Sequence, residues 1–385
     1  MPRACHLITR LIVGGAQRIA LETAAFLAGS GWSVELWAGP QTGSEGSLHE
    51  EARRRGVPLR EVPDLVRELS PAHDARALIW LRREFSRQRF DLVHTHSSKA
   101  GILGRHAAHL ARVPVRVHSV HGWGTTPDTP SLTRKLFDAL ERSAARRAHA
   151  LIAVSEAVRD AGLACGIGSP AQYRVIRGGI SLGPVPDREA RRRARAELGL
   201  PEEALVAGTI GRLDHAKDPL GALDALRPLL DAEPRARAVF IGDGPLHDAM
   251  RRAVLEGGMR ERVLLPGRRG DARALAAAFD VFFLASRWEG FPLAVIEAMA
   301  GGLPVVAYDV AGVREAVAEG MNGHLIAPGN REAWRARIAG LLADEATRLR
   351  LGTAGRRRAE REFDLARMLA ETRALYEELI PTTTR

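Results

Sequence analysis

Val281-Phe282-Phe283-Leu284-Ala285-Ser286-Arg287-Trp288-Glu289-Gly290-Phe291-Pro292-Leu293-Ala294-Val295-Ile296-Glu297-Ala298-Met299-Ala300 holds a strand, a turn and a helix in twenty residues. The apolar run Val281–Leu284 shows no alternation, as expected of a strand in a parallel sheet covered on both faces. Gly290 permits a tight turn, and Pro292 fits the first helical position, where its missing N–H costs nothing. The amides beginning near Leu293 then form the positive end of a helix, a ready site for a diphosphate or a carboxylate. Glu289 lies in the loop, and Glu297 lies in the first turns among apolar neighbours. A carboxylate in such company reads either as the polar stripe of the helix or as an acceptor for ligand hydroxyls.

The same alternation runs outward in both directions. Strands are expected at Ala4–Ile8, Val34–Ala38, Leu59–Val62, Leu92–His94, Val115–Ser119, Leu151–Val154 and Arg174–Ile176. Helices are expected between them, among them Ala16–Ala28, Ala75–Gln88, Ala100–Leu110 and the basic amphipathic Leu132–Arg147. The pattern breaks at Ser181-Leu182-Gly183-Pro184-Val185-Pro186 and restarts with strands Leu205–Ile210, Ala238–Ile241, Val263–Leu265, Val281–Leu284 and Val305–Tyr308. This predicts an α/β chain with two doubly wound, Rossmann-like parallel-sheet domains facing across a cleft. The expected divisions are 1–180, a linker and hinge at 181–203, a second domain at 204–362, and a closing helix within 363–385 that packs back on the first domain.

Composition narrows the function classes. The 385 residues are 45% hydrophobic and 26% charged, ordinary for a globular protein. Cys5 and Cys165 are too few for a disulfide framework and do not stand at zinc spacing. Neither a leader nor a spanning segment is visible, so a cytoplasmic protein, at most peripheral at the inner membrane face, is expected. Residues 1–180 hold 25 Lys and Arg against 16 Asp and Glu; the remainder holds 31 against 30. The basic excess of the first half suits an anionic membrane surface or an acidic acceptor. Few aromatic residues and no nucleic-acid motif argue against nucleic acid.

Further candidates follow the other strands, where ligands of open parallel sheets bind. Gly211-Arg212-Leu213-Asp214-His215-Ala216-Lys217-Asp218-Pro219 offers two cations, Arg212 and Lys217, for charge on a departing diphosphate; the alternative is a surface network with Asp214 and Asp218. Gly14-Gly15-Ala16-Gln17 lets backbone approach a ligand before a helix, though it lacks the dinucleotide fingerprint. Asp243, in Gly242-Asp243-Gly244-Pro245-Leu246, reads either as a cap of the next helix or as a ligand contact. Two histidine pairs, His94 with His96 and His118 with His121, leave strands. Alternation is expected to turn one of each pair inward and one outward. His121, beside Gly122, is read as the outward one, and His94 and His118 as structural. No third or fourth metal ligand is evident, and no Asp-x-Asp occurs to clamp a cation.

Taken together, Ile8–Gln17, His94–Arg105, His118–Gly124, Gly211–Pro219, Gly242–Leu246 and Glu289–Glu297 resemble the retaining GT-B glycosyltransferases. The likeness is greatest to the large bacterial group, glycosyltransferase family 4-like, that builds capsules, exopolysaccharide and lipopolysaccharide cores. The resemblance implies transfer of a sugar from a nucleotide diphosphate sugar, UDP favoured, to a saccharide, lipid-linked or small-molecule acceptor. It implies no cofactor and no metal. By it, Arg212 and Lys217 hold the diphosphate and Glu297 the ribose hydroxyls. Glu289 contacts the sugar and His121 lies by the reacting carbon. Gly14, Gly15, Gln17, Asp243, Arg268, Gly290, Phe291, Pro292 and Leu293 complete the donor side; His96, Lys99 and Trp123 fall on the acceptor or sugar side. Two departures stand out: Arg177-Gly178-Gly179-Ile180-Ser181 lacks the acid that many members carry there, and Pro292 replaces a common Gly. A nucleotide-sugar epimerase would need further acid–base carboxylates. A phosphorylase-like enzyme would need a cofactor lysine or a pocket for free phosphate. A binding protein would be expected to have lost one of Arg212, Lys217 and the paired glutamates.

Overall fold

The computed structural model describes residues 1–41, 46–126 and 129–380. It divides into two units, one of residues 1–179 with the C-terminal segment from 366 onward, the other of residues 180–365.

The first unit is built on seven strands: β1 (Arg3–Ile8), β2 (Ser33–Ala38), β3 (Leu59–Glu61), β4 (Leu92–His96), β5 (Val115–Val120), β6 (Ala150–Ala153) and β7 (Tyr173–Val175). Every pairing is parallel, in the order β3-β2-β1-β4-β5-β6-β7. All seven coincide with runs expected from the sequence. The strand order reverses between β1 and β4, and in such sheets the loops leaving the two strands at the reversal form the ligand crevice. Register sets His6 of β1 opposite His94 of β4, and Ile8 opposite His96. The helix Leu365–Leu379 groups with this unit from Ala366 onward. It is held by a hydrogen bond between Tyr376 and His94 and by the Gly179 N–H on the Met368 sulfur.

The second unit carries β8 (Leu205–Ile210), β9 (Ala236–Ile241), β10 (Val263–Gly267), β11 (Val281–Leu284), β12 (Val305–Tyr308) and β13 (Gly323–Ile326). These strands are again all parallel, in the order β10-β9-β8-β11-β12-β13. The reversal lies between β8 and β11. The loops that leave these two strands are the two segments with the most candidate residues. Phe240, Phe283 and Trp334 form an edge-to-face ladder in the core, with centroids 5.3 and 5.4 Å apart.

Three expectations need correction. Residues 181–203 are not a linker: the helix Arg188–Glu197 is part of the second unit. Its Arg195, only 4% exposed, bonds Asp280 at 3.1 Å, and Arg191 bonds the same carboxylate at 2.6 Å. The helix Glu345–Glu362, which carries Gly352 and Gly355, was not anticipated. They are packing residues: a Cβ on Gly352 would lie 1.9 Å from the Gly302 carbonyl, so only glycine lets the two segments touch. The short β13 and the helix Glu156–Ala164 were also missed. At the departing segment after β7, the Ile180 N–H donates to the Phe363 carbonyl and the Leu365 N–H to the Ile180 carbonyl. The two stretches of chain that join the units are therefore paired through backbone, with no acidic side chain required.

Candidate functional site

In the second unit the loop after β8 and the loop after β11 converge. Asp214 accepts from the amides of Ala216 and Lys217 through Oδ1, fixing the turn that aims Lys217. The Arg287 N–H donates to the Ala216 carbonyl at 2.8 Å and joins the loops. Across that join the Lys217 ammonium bonds the Glu289 carboxylate, and the Ser286 hydroxyl donates to the same oxygen at 2.6 Å. The Glu289 side chain is 10% exposed. Such a carboxylate needs its partners, because an unpaired buried charge is costly. Arg212 lies 3.6 Å from Asp214. The surface network weighed for the two cations is thus half present: Asp218 meets Arg287, not Lys217.

The loop after β9 closes against the same turn. The Leu213 N–H donates to the Asp243 carbonyl, and the Leu246 N–H to the Leu213 carbonyl. Gly242, at φ +153°, would place a Cβ 1.8 Å from the Gly211 carbonyl, so this approach admits only glycine. Asp243 does not cap the following helix, whose N-cap is Leu246; its carboxylate folds onto the Gly244 N–H at 2.7 Å. The Gly242 N–H donates to the Gly267 carbonyl, which brings the exposed Arg268 next to this cluster.

The helix after β11 spans Leu293–Ala300, as expected, with Pro292 as its N-cap rather than its first helical residue. Gly312 lets the Glu289–Gly290 backbone approach closely, since a Cβ there would lie 2.4 Å from the Gly290 carbonyl. Phe291 is pinned edge-on to Phe363 at 5.5 Å. Glu297 is half-buried and shares its stripe with Leu293 and Ala294, rather than facing the core with Val295, Ile296 and Met299.

In the first unit, Gly14 precedes the helix Gly15–Gly29 in extended conformation, and its carbonyl accepts from Arg18. The half-buried Gln17 lies close enough to Gly14 that its Oε1 would meet a Cβ there at 2.6 Å. The β1 and β4 loops are tied by Thr9 and Ser97, whose hydroxyls lie 2.8 Å apart.

The histidines differ from expectation. His94 and His96, two residues apart on one strand, share a face, with ring centroids 4.1 Å apart. Alternation separates neighbours, not second neighbours. His96 is fully buried rather than on an acceptor side. Its Nε2 lies 3.1 Å from His6 Nδ1, and its Nδ1 lies 3.1 Å from Nε2 of the half-buried His121. His94 bonds Tyr376 and Ser119, and His118 bonds Thr95. Burial pushes the His6 imidazole down to about 3 and that of His121 to about 4. His94, His96 and His118 are also driven well down, first by burial and then by one another's proximity, with Arg105 the first such neighbour of His118. The set is therefore neutral near pH 7. His6, His94 and His96 hold ring nitrogens within 4.8 Å of one another. Both nitrogens of His94 and of His96 are already engaged, however, so the trio is a hydrogen-bonded stack rather than a ligand set. The sequence reading missed His6, although a polar residue within the apolar strand Arg3–Ile8 was a usable signal.

Two further candidates serve as braces. The Lys99 ammonium bonds Asp74 at 2.6 Å and the Glu68 carbonyl. The Trp123 indole N–H donates to the Val158 carbonyl, and its ring fills the space beside Gly162.

Solved structures share this fold. The chain superposes on Anabaena HepE in complex with UDP-glucose with a TM-score of 0.85 at 22% identity, covering 98% of this chain and all of the other. It also superposes on WaaG, a glycosyltransferase of lipopolysaccharide biosynthesis, with a TM-score of 0.77 at 17% identity, covering 97% and 99%. Two parallel α/β units of this kind define the GT-B class of glycosyltransferases. Residues 14–179 match the glycosyl transferase 4-like domain and residues 190–358 the glycosyl transferases group 1. An Escherichia coli UDP-Gal:alpha-D-GlcNAc-diphosphoundecaprenol alpha-1,3-galactosyltransferase is 31% identical over 331 residues, 84% of each chain. A Corynebacterium glutamicum D-inositol 3-phosphate glycosyltransferase is 30% identical, over 95% of this chain and 92% of that one. The protein belongs to the group 1 glycosyltransferases and is an enzyme of sugar transfer.

Proposed function

We propose that the chain transfers a sugar from UDP to a saccharide-type acceptor, with retention of configuration and without a metal. The observation that carries this reading is the Lys217–Glu289 pair, set by the Arg287–Ala216 bond beside the start of the helix Leu293–Ala300. In the structure Glu289 neutralises Lys217. A diphosphate offers the ammonium a second, more highly charged partner, while Ser286 keeps its bond to Glu289. Arg212 adds a cation on the same turn, and the helix amides face the same charge. Glu289 then meets the sugar and Glu297 the ribose. The departing diphosphate takes the acceptor proton as the acceptor attacks from the same face. The uridine assignment is supported by the UDP and UDP-glucose complexes of HepE and by the UDP-Gal donor named for the E. coli relative. Metal independence is supported by two fixed cations and by the lack of an Asp-x-Asp in the sequence.

A thermal-shift panel with UDP, GDP, dTDP and ADP, each with magnesium and with EDTA, tests both points. UDP alone should raise the midpoint through mass action, equally in EDTA. A shift confined to another base, or abolished by EDTA, overturns the corresponding statement.

The acceptor side points to a lipid surface. In the helix Ser131–Ala145, Leu132 is 79% and Leu136 57% exposed, and both share one stripe with the exposed Leu140. Lys135 and Arg146 flank that stripe, and the unit carries the chain's basic excess. An apolar stripe edged with cations is the pattern of an interfacial helix. Among the described residues no helix is long and apolar enough to cross a membrane. The lipid-linked acceptor of the E. coli relative supports the same reading, and the inositol phosphate acceptors of other relatives support a small soluble one. Flotation with anionic phospholipid vesicles should carry the protein, and L132E/L136E should abolish this. Wild-type protein left behind by anionic vesicles removes the membrane reading.

A further inference from the structure

His121 Nε2, His96 Nδ1, His96 Nε2 and His6 Nδ1 form an unbroken file of contacts, each 3.1 Å long, from the carboxyl end of β5 to the middle of β1. Each contact needs one N–H and one lone pair, and a neutral imidazole has one of each. The file therefore has two self-consistent arrangements. In one, all three rings carry the proton on Nδ1. In the other, all three carry it on Nε2. No mixed arrangement satisfies both contacts.

The arrangements differ at the inner end. His6 is fully buried, and its Nε2 has no hydrogen-bond partner among the described residues. The second arrangement leaves a buried N–H orphaned there, and the first leaves a bare ring nitrogen. Orphaned buried N–H groups are the rarer defect. We infer that His6 and His96 are positioning residues that fix His121 as its Nδ1–H tautomer, so that His121 offers a hydrogen-bond donor, not an acceptor, at the end of β5. Burial supports this by keeping the rings neutral, which removes the one state that could donate at both ends. His94 takes no part in the file, because Tyr376 and Ser119 engage its two nitrogens. That the donor meets a sugar oxygen rests on the function proposed above; the tautomer itself does not.

The test is long-range ¹H–¹⁵N correlation of the ring nitrogens in ¹⁵N-histidine protein at pH 7.5, with the His121 signals assigned by their loss in His121→Asn. Water favours Nε2–H for a neutral histidine, so the expected result, His121 with a protonated Nδ1 and a bare Nε2, does not arise by default. His121 with a protonated Nε2 overturns the inference. In His6→Phe, which keeps ring bulk but supplies no nitrogen, the His121 shifts should move toward a mixture of tautomers; unchanged shifts overturn the part assigned to His6. If that variant fails to fold, the wild-type spectrum still decides the tautomer. Adding UDP-glucose separates the two readings. An Nδ1–H signal that ignores the nucleotide sugar upholds the file and counts against the donor site. A signal that responds but carries the proton on Nε2 overturns the file alone.

Discussion

Lys217→Ala is expected to cut turnover about a hundredfold or more, the scale for losing one fixed contact to developing charge. The loop itself should survive the change, because Asp214 holds it through backbone amides rather than through the lysine side chain. What is lost is the cation, together with the partner of a carboxylate that keeps only Ser286. Lys217→Arg should recover part of the activity, since the charge returns on a planar fork of different reach. Glu297→Ala should cost a similar factor through the ribose, with the protein's folding unaffected, because Glu297 is half-exposed on its helix. Initial-rate assays of UDP-sugar consumption, with circular dichroism as the control for folding, decide the matter. Near-wild-type turnover in both alanine variants would falsify the donor-site assignment.

Asp280→Ala should strongly lower stability without touching the site. Asp280 is 8% exposed; it accepts from Arg195, Arg191 and the Val206 N–H. Its removal leaves the Arg195 guanidinium buried without its charge partner. Breaking a buried pair from one side costs about 3–5 kcal/mol. At roughly 2–4 °C per kcal/mol for a unit of this size, the midpoint should fall by about 6–20 °C. Replacing both partners, Asp280→Leu with Arg195→Met, should restore much of the loss, because an apolar pair carries no desolvation penalty. A midpoint for Asp280→Ala within a degree or two of wild type would show that the helix Arg188–Glu197 is not anchored by this carboxylate.

That helix shows where sequence reading stops. It reads as a charged helix, Arg188–Leu198, ended by Gly199 and Pro201 after the linker-like Ser181–Pro186, and nothing local reveals that Arg195 meets an aspartate 85 residues away. The parallel sheets were legible because buried strands are written as unbroken apolar runs, as in Val281–Leu284. The helix Glu345–Glu362 was missed, and the close approach of its Gly352 to the Gly302 carbonyl appears only in three dimensions. At the site, residue types and spacing picked out Lys217 and Glu289. Their mutual bond depends on the Arg287–Ala216 link between two loops and appears only in three dimensions. Of the histidines, His94 and His118 are structural as read, but His96 is buried rather than on the sugar side, because it meets His6, which strand register and no motif brings to it.

The helix Leu365–Leu379 has a consequence for how the chain is made. It supplies Tyr376, which bonds His94 and leans on Trp32, so the first unit contains residues from both ends of the described chain. A ribosome that has finished residue 179 has therefore not finished the first unit. At roughly 5–20 residues per second, the stretch 180–365 takes about 10–40 s to emerge. Throughout that interval the sheet β1–β7 waits with the Tyr376 site empty, while the second unit has its whole sequence available to fold. The half synthesised first is thus the half completed last, and a released chain ending at residue 365 should pair a native second unit with a first unit that is still open to chaperones and proteases.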